Sequence, residues 1–288
     1  MRIVATHFTD PGCPWAYSAR PWHAALRWRF GDQLDWRLVM IGLSESAEQY
    51  EARGYTPERQ VASNWRFAAR FGMPFAYEPK AGLSATSPAC RAVVAARLSD
   101  PARAEAVLRA LQDLQFTTTG RLQDREALRG ALAAVGAAGL VDRIDDPDVL
   151  AAYEEDRARA RSAAGGPTDV QGRAASTDGP VRFTAPSVIF ERPDGACMEV
   201  GGFQPLEAYD TALANLAPAL ERRRPAADVE EILAAFPEGL VTAEVAWIRK
   251  TNLGALELEG TRAALQAAAD AGGVVRTALG DDARWAMP

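Results

Sequence analysis

The sequence predicts an α/β protein in which a sheet begins at the N-terminus, breaks off for a long helical block, and resumes before a separate C-terminal module. Three observations predict it. Residues 2 to 43 alternate a β-branched run, a helical period and a second apolar run. Residues 56 to 163 carry helical periods, and strand signals return from residue 181.

Each element has its own signal. "RIVATHF" (2 to 8) is short and β-branched and closes on the turn Asp10-Pro11-Gly12. From Pro14 to Phe30, the residues Trp15, Ala19, Trp22, Leu26 and Phe30 recur at intervals of three and four, which predicts one amphipathic helix. "LDWRLVMIGL" (34 to 43) predicts a second strand, and a parallel pair joined by a helix crosses over right-handed. Helices are expected at 57 to 71, 87 to 98, 101 to 116, 124 to 135 and 147 to 161. Several start with Thr, Ser or Asp just ahead of proline, which suits a first turn whose amide has no partner anyway. Residues 163 to 180, rich in Gly, Ala, Ser and Pro, predict a surface loop.

Strands are expected again at 181 to 190 and 196 to 200, around the turn Pro193-Asp194-Gly195, followed by a helix from 205 to 220. "ERRRPAA" (221 to 227) reads as a hinge. Beyond it, helices at 228 to 236, 242 to 250 (capped by Thr242) and 257 to 271 precede a hairpin at 274 to 287 that turns at Gly280-Asp281-Asp282. Three helices and a hairpin are the ingredients of a winged helix. The expected division is therefore 1 to 55 with 164 to 220 as the sheet domain, 56 to 163 as an all-helical insertion, and 228 to 288 as a winged-helix-like module.

Composition narrows the function. At 288 residues the chain can bury a core without staples, and a net charge of −6 gives it no electrostatic reason to seek nucleic acid or an anionic membrane. Three cysteines are too few for a disulfide framework and point to a reducing compartment. No basic run precedes an apolar one at the N-terminus and no membrane-length apolar run occurs, so a cytoplasmic protein is expected. With only His7 and His23 available and no ligand spacing among Cys13, Cys90 and Cys197, no metal is expected. His7 and His23 read as structural, since His23 lies nearly three helical turns beyond Cys13.

The chemistry concentrates at Cys13. A cysteine just before a helix faces unsatisfied amides that favour thiolate over thiol, so its pKa is expected to fall and its sulfur to serve as a nucleophile. Pro14 fits the first helical position, Trp15 offers an aromatic face, and Tyr17, one turn on, could donate to a bound thiol. Far away in the chain, "TAPSVIF" places Pro186 at the start of an apolar strand, where a proline must sit at an edge, a strand start or a cis turn.

Taken together, residues 2 to 220 resemble the DsbA-like branch of the thioredoxin superfamily. "FTDPGCPWAYSARP", "SPACRAVVAAR" and "TAPSVIFERPDG" are most similar to the cytoplasmic FrnE-type proteins and the related Spx-adapter proteins. The resemblance implies a thioredoxin fold carrying the helical insertion, Cys13, Pro14 and Trp15 as the catalytic turn, Pro186 as a cis-proline facing it, and Ala185 offering backbone groups to a bound peptide or low-molecular-weight thiol. The chain departs from the family's dithiol members at one position. Ala16 stands where they keep a second cysteine, so a mixed disulfide at Cys13 has no neighbour to resolve it.

Three alternatives follow. Cys13 acts as a monothiol with an external thiol such as glutathione as cosubstrate; Cys90 resolves it from the helical block, although its spacing from Val93, Val94 and Leu98 also fits an apolar face; or the fold is kept as a binding surface. The expected activity is thiol–disulfide exchange on protein or small-thiol substrates through mixed disulfides, with a glutathione-dependent transferase or isomerase as a variant and a non-catalytic client adapter as the alternative. The aromatics of "WRFAARFGMPFAY" (65 to 77) fit either a cleft above Cys13 or ordinary core.

Charge decides against DNA for the C-terminal module. It holds five basic and ten acidic residues, and the helix that would enter a groove carries Glu257, Glu259 and Asp270 against Arg262. A protein contact is expected instead, within the chain or with a second subunit as a homodimer.

Overall fold

The computed structural model describes residues 2 to 177, 179 to 252 and 254 to 288. Strand β1 (Ile3–Thr9) leads through helices α1 (Pro14–Ser18) and α2 (Arg20–Phe30) to β2 (Leu34–Met40). The single helix expected from 14 to 30 is broken at Ala19, because Pro21 has no amide to continue the α1 ladder and instead opens the first turn of α2. Helices α3 (Ala47–Glu51), α4 (Pro57–Phe71), α5 (Ser87–Ser99), α6 (Ala104–Thr117), α7 (Arg125–Ala133), α8 (Pro147–Ala160) and α9 (Pro167–Val170) follow. The last lies inside the stretch expected to be loop, and Asp178 of that stretch is outside the described residues.

The sheet resumes with β3 (Ser187–Glu191) and β4 (Cys197–Val200), then α10 (Leu206–Leu216). Its order is β2-β1-β3-β4, with β1 and β2 parallel across the α2 crossover and the other two pairings antiparallel. The third strand starts six residues later than the apolar run suggested, since Pro186 cannot donate to a ladder and Arg182 makes only an isolated bridge to Ala175.

The C-terminal module comprises α11 (Val229–Ala234), β5 (Leu240–Val241), α12 (Thr242–Arg249), α13 (Leu258–Asp270), β6 (Val275–Leu279) and β7 (Asp282–Ala286). Its sheet runs β5-β7-β6. The two-residue β5 is too short to show a period in the sequence. Thr242 is not the cap of α12: Val241 takes that position, the Glu244 carboxylate accepts from its amide at 2.9 Å, and the Thr242 hydroxyl instead bonds Asp282 and Trp285.

Residues 221 to 227 do not swing free. Arg223 donates its amide to Arg29, Trp28 donates its indole nitrogen to the Arg224 carbonyl at 2.8 Å, and Gln33 and Glu221 bond each other. One apolar core then runs from Ile3, Trp22 and Leu26 through Phe190 and Leu213 to Ile232, Val245 and Trp285. Of the two contacts expected for the module, the one within the chain is therefore present. A second core fills the helical block around Val94, Leu111 and Val149, and two smaller ones meet at the N-terminus of α1. Among the described residues, no helix is long and apolar enough to cross a membrane.

Candidate active site

Cys13 occupies the N-cap position of α1 with extended backbone (φ −88°, ψ 115°), and Pro14 supplies the first helical residue. Its thiol donates to the Ala185 carbonyl at 3.1 Å, and the Ala185-Pro186 peptide is cis. Two segments separated by 172 residues thus meet at one sulfur. Cys13 belongs to the same buried apolar cluster as Phe8, Ala16, Val39 and Phe183 and keeps 6% of its surface exposed.

Burial corrects the expectation of a ready thiolate. The thiol is pushed up to about 12, chiefly by desolvation and also by the Asp10 charge; the amides of Ala16 and Trp15 and the Arg182 guanidinium act the other way without prevailing. A helix of five residues adds little beyond those amides. At neutral pH the resting sulfur is a thiol.

Asp10, read in the sequence only as a turn residue, organises this region. One carboxylate oxygen accepts from Gly12 N at 2.8 Å; the other accepts from Leu43 N at 2.8 Å, Thr86 Oγ1 at 3.0 Å and the Cys90 thiol at 3.4 Å. Its backbone carbonyl receives the Cys13 amide. Burial raises its pKa, and these donors oppose the rise. Nothing in an Asp-Pro-Gly turn signals such a role, because its other partners come from two distant segments, the chain after β2 and the start of α5.

Cys90 lies fully buried on α5, with its thiol pushed well up by burial and by Asp10. Cys13 and Cys90 thus share one neighbouring carboxylate, and all three cysteines are free thiols, Cys197 being the exposed one. Tyr17 is a correction: it is completely buried, donates to the Pro74 carbonyl at 2.8 Å and stacks on Phe116, so it does not serve a bound thiol. Trp15 is 40% exposed and meets Phe67 and Phe203 edge-on at the rim. His7 and His23 touch edge to face inside the core at 4.4 Å, and burial holds both neutral, His7 down at about 3.

Beside Cys13 opens a cavity of about 760 Å³. Gly12, Thr86 and Leu122 line it together with Cys13, and a Cβ on Gly12 would meet Thr86 Cγ2 at 2.4 Å, so this close approach requires glycine. Its charged lining is Arg53, Arg59, Arg66, Lys80 and Arg182 against Glu78 alone. Lys80, brought down to about 8 by burial, donates to the carbonyls of Thr118 and Gly120. Two lining atoms, Ser84 Oγ and Gln115 Oε1, are buried without a partner among the described residues. The arrangement offers an anion-attracting, polar-ended chamber with a thiol beside it. The aromatics at 65 to 77 divide between the two expected roles: Phe67 and Ala76 line the cavity, while Phe71 and Phe75 pack into core.

No protein-family model matches the chain, and no curated protein does. Solved structures do. A candidate protein disulfide isomerase from Nitrosomonas europaea aligns over 75% of this chain and 97% of its own, with TM-score 0.57 and 17% identity. The cytosolic disulfide reductase DsbM from Pseudomonas aeruginosa aligns over 74% and 100%, with TM-score 0.52 and 21% identity, and its complex with glutathione does so equally. About a quarter of this chain has no counterpart in either protein. Within the part they share, the chain has the DsbA-like thioredoxin fold.

Proposed function

We propose that the protein is a thiol–disulfide oxidoreductase that works through Cys13 as a monothiol, with glutathione or a similar anionic low-molecular-weight thiol as cosubstrate. The observation that carries this reading is the Cys13 thiol held against the carbonyl before cis-Pro186, beside a cavity with five cationic side chains and one carboxylate. The glutathione complex of a protein with the same fold supports it. Cytoplasmic residence is part of the proposal and is supported by three free thiols. So is the three-part division with a winged-helix-like C-terminal unit, supported by the order of its elements.

In the proposed cycle Cys13 loses its proton to solvent and attacks the glutathione sulfur of a client mixed disulfide. The Cys13–glutathione disulfide forms, and the client thiolate leaves and takes up a proton. A second glutathione thiolate then attacks the bound glutathione sulfur, returning Cys13 and releasing oxidised glutathione. Ala16 makes the second step intermolecular. The high resting pKa makes deprotonation the costly step, so exchange accelerates as pH rises through 7 to 9.

The test is peptide mapping after exposure to oxidised glutathione, in a Cys90→Ala/Cys197→Ser background. A glutathione adduct on Cys13 is expected, reversed by excess glutathione. No adduct at pH 8 overturns the reading.

One observation favours a second reading, a client adapter without redox chemistry. The protonated, buried Cys13 lies beside the 40% exposed Trp15 at the rim of the cavity. An adapter would keep full client binding in a Cys13→Ser variant.

A further inference from the structure

One wall of the cavity is made by α4 and the chain that follows it. Asn64, Arg66 and Phe67 contribute from the helix, and Ala76, Glu78 and Lys80 from the extended segment. Ala76 is tied into the wall from both sides: its amide donates to the Phe116 carbonyl at 2.7 Å, and its carbonyl accepts from Asn64 Nδ2 at 2.9 Å.

The residues on either side of Ala76 are held by the C-terminal module. The Asp281 carboxylate accepts from the Phe75 amide at 2.9 Å and from the Tyr77 hydroxyl at 2.5 Å. Next to it, Gly280 (φ +55°) comes so near that a Cβ would lie 2.8 Å from the Phe75 carbonyl oxygen. Tyr77 then stacks on Trp65 of α4, rings 3.7 Å apart and nearly parallel. At the other end of the segment, Leu258 of α13 covers Gly72, where a Cβ would meet Leu258 Cδ1 at 2.8 Å. The tip of the β6–β7 hairpin, the part a winged helix would lay on DNA, is thus spent on the back of the cavity wall.

We propose that the β6–β7 turn braces the wall of the thiol cavity and that Asp281 is its positioning residue, setting the fit of the small-thiol substrate without touching the reacting sulfur. This rests on the reading that the cavity takes that substrate. A carboxylate gripping residues 75 and 77 fixes the residue between them, and a loosened wall weakens binding while leaving the chemistry at Cys13 intact.

Asp281→Ala is expected to raise KM for a glutathionylated peptide about fivefold, in the range of one hydrogen bond, with kcat within about twofold. Asp281→Asn, which keeps one acceptor, falls between. Arg223→Ala, which breaks the connector's pair with Glu231 of the module and its stacking on Trp28 of α2, leaves KM unchanged. A second readout needs no turnover: the ratio of Cys13 alkylation rates by a bulky maleimide and by iodoacetamide shifts in Asp281→Ala. An unchanged ratio, an unchanged KM, or an equal effect of Arg223→Ala overturns the proposal. A wild-type protein that forms no glutathione adduct sinks the substrate reading instead, and the alkylation ratio still decides the role of Asp281.

Discussion

At the scale of single residues, Cys13 and Pro186 were legible because each breaks a local pattern: a cysteine at a helix start and a proline at a strand start. Asp10 was not, since its importance comes from Gly12, Leu43, Thr86 and Cys90 converging on it. The ionisation of Cys13 was misread for the same reason: sequence shows the helix amides that lower a thiol and hides the burial that raises it. The two carboxylate-linked thiols make a test possible. Asp10→Asn removes the charge that raises Cys13, so in a Cys90→Ala background the rate of Cys13 alkylation by iodoacetamide at pH 8 should rise, on the order of three- to tenfold. An unchanged or slower rate means that burial alone sets the resting state.

At the scale of elements, one sequence signal, Thr or Asp one or two residues ahead of proline, has several structural uses. Thr56 caps α4, its hydroxyl accepting from Arg59 N at 3.2 Å, and Asp100 accepts from Ala102 N ahead of α6. Asp146 precedes α8 without such a bond. Thr86 stands before α5 and gives its hydroxyl to Asp10 instead. The helix starts were therefore legible, because Pro at the first turn suffices for them, whereas which oxygens do capping work depends on what lies across the gap. The consequence separates two similar substitutions. Thr56→Ala should cost ~1 kcal/mol in urea unfolding with Cys13 alkylation unchanged. Thr86→Ala should alter the alkylation rate, because it removes a donor from the carboxylate facing Cys13. Equal effects of the two on alkylation would show that Thr86 acts as an ordinary cap.

At the scale of the whole molecule, the three stretches of chain are joined by a buried ion network that no local pattern announces, because its partners lie 93 to 224 residues apart. Arg20 of α2 pairs with Asp113 of α6 at 2.6 Å and with Glu244 of α12 at 3.2 Å. Arg109 of α6 grips Glu244 through two bonds of 2.6 and 2.9 Å, and Arg284 of β7 reaches Asp113. Charge counting gives the acidic balance of the module; it cannot show that Glu244 meets two arginines. Those arginines bring the Glu244 carboxyl down to about 2 from an ordinary 4.5, against desolvation. A folded pKa below the unfolded one means that the unfolded chain binds more protons between these values. The stabilisation is therefore whole above pH 4.5 and is lost as pH falls from 4.5 to about 2. The buried histidines act in the same direction but earlier, since His7 stays neutral down to about 3 and unfolded histidine protonates near 6.5. Stability against urea should thus decline in two overlapping limbs, the first beginning below pH 6.5 and the second below 4.5. Glu244→Gln should lower stability at pH 7 by about 3–5 kcal/mol, because two guanidinium groups lose a buried partner, and should erase the second limb while keeping the first. Because one core spans α2 and the C-terminal module, the wild-type chain should unfold as a unit, with tryptophan fluorescence and helical circular dichroism changing together. If the second limb persists in Glu244→Gln, the acid sensitivity lies in other carboxylates, and the network is not what couples the module to the thioredoxin sheet.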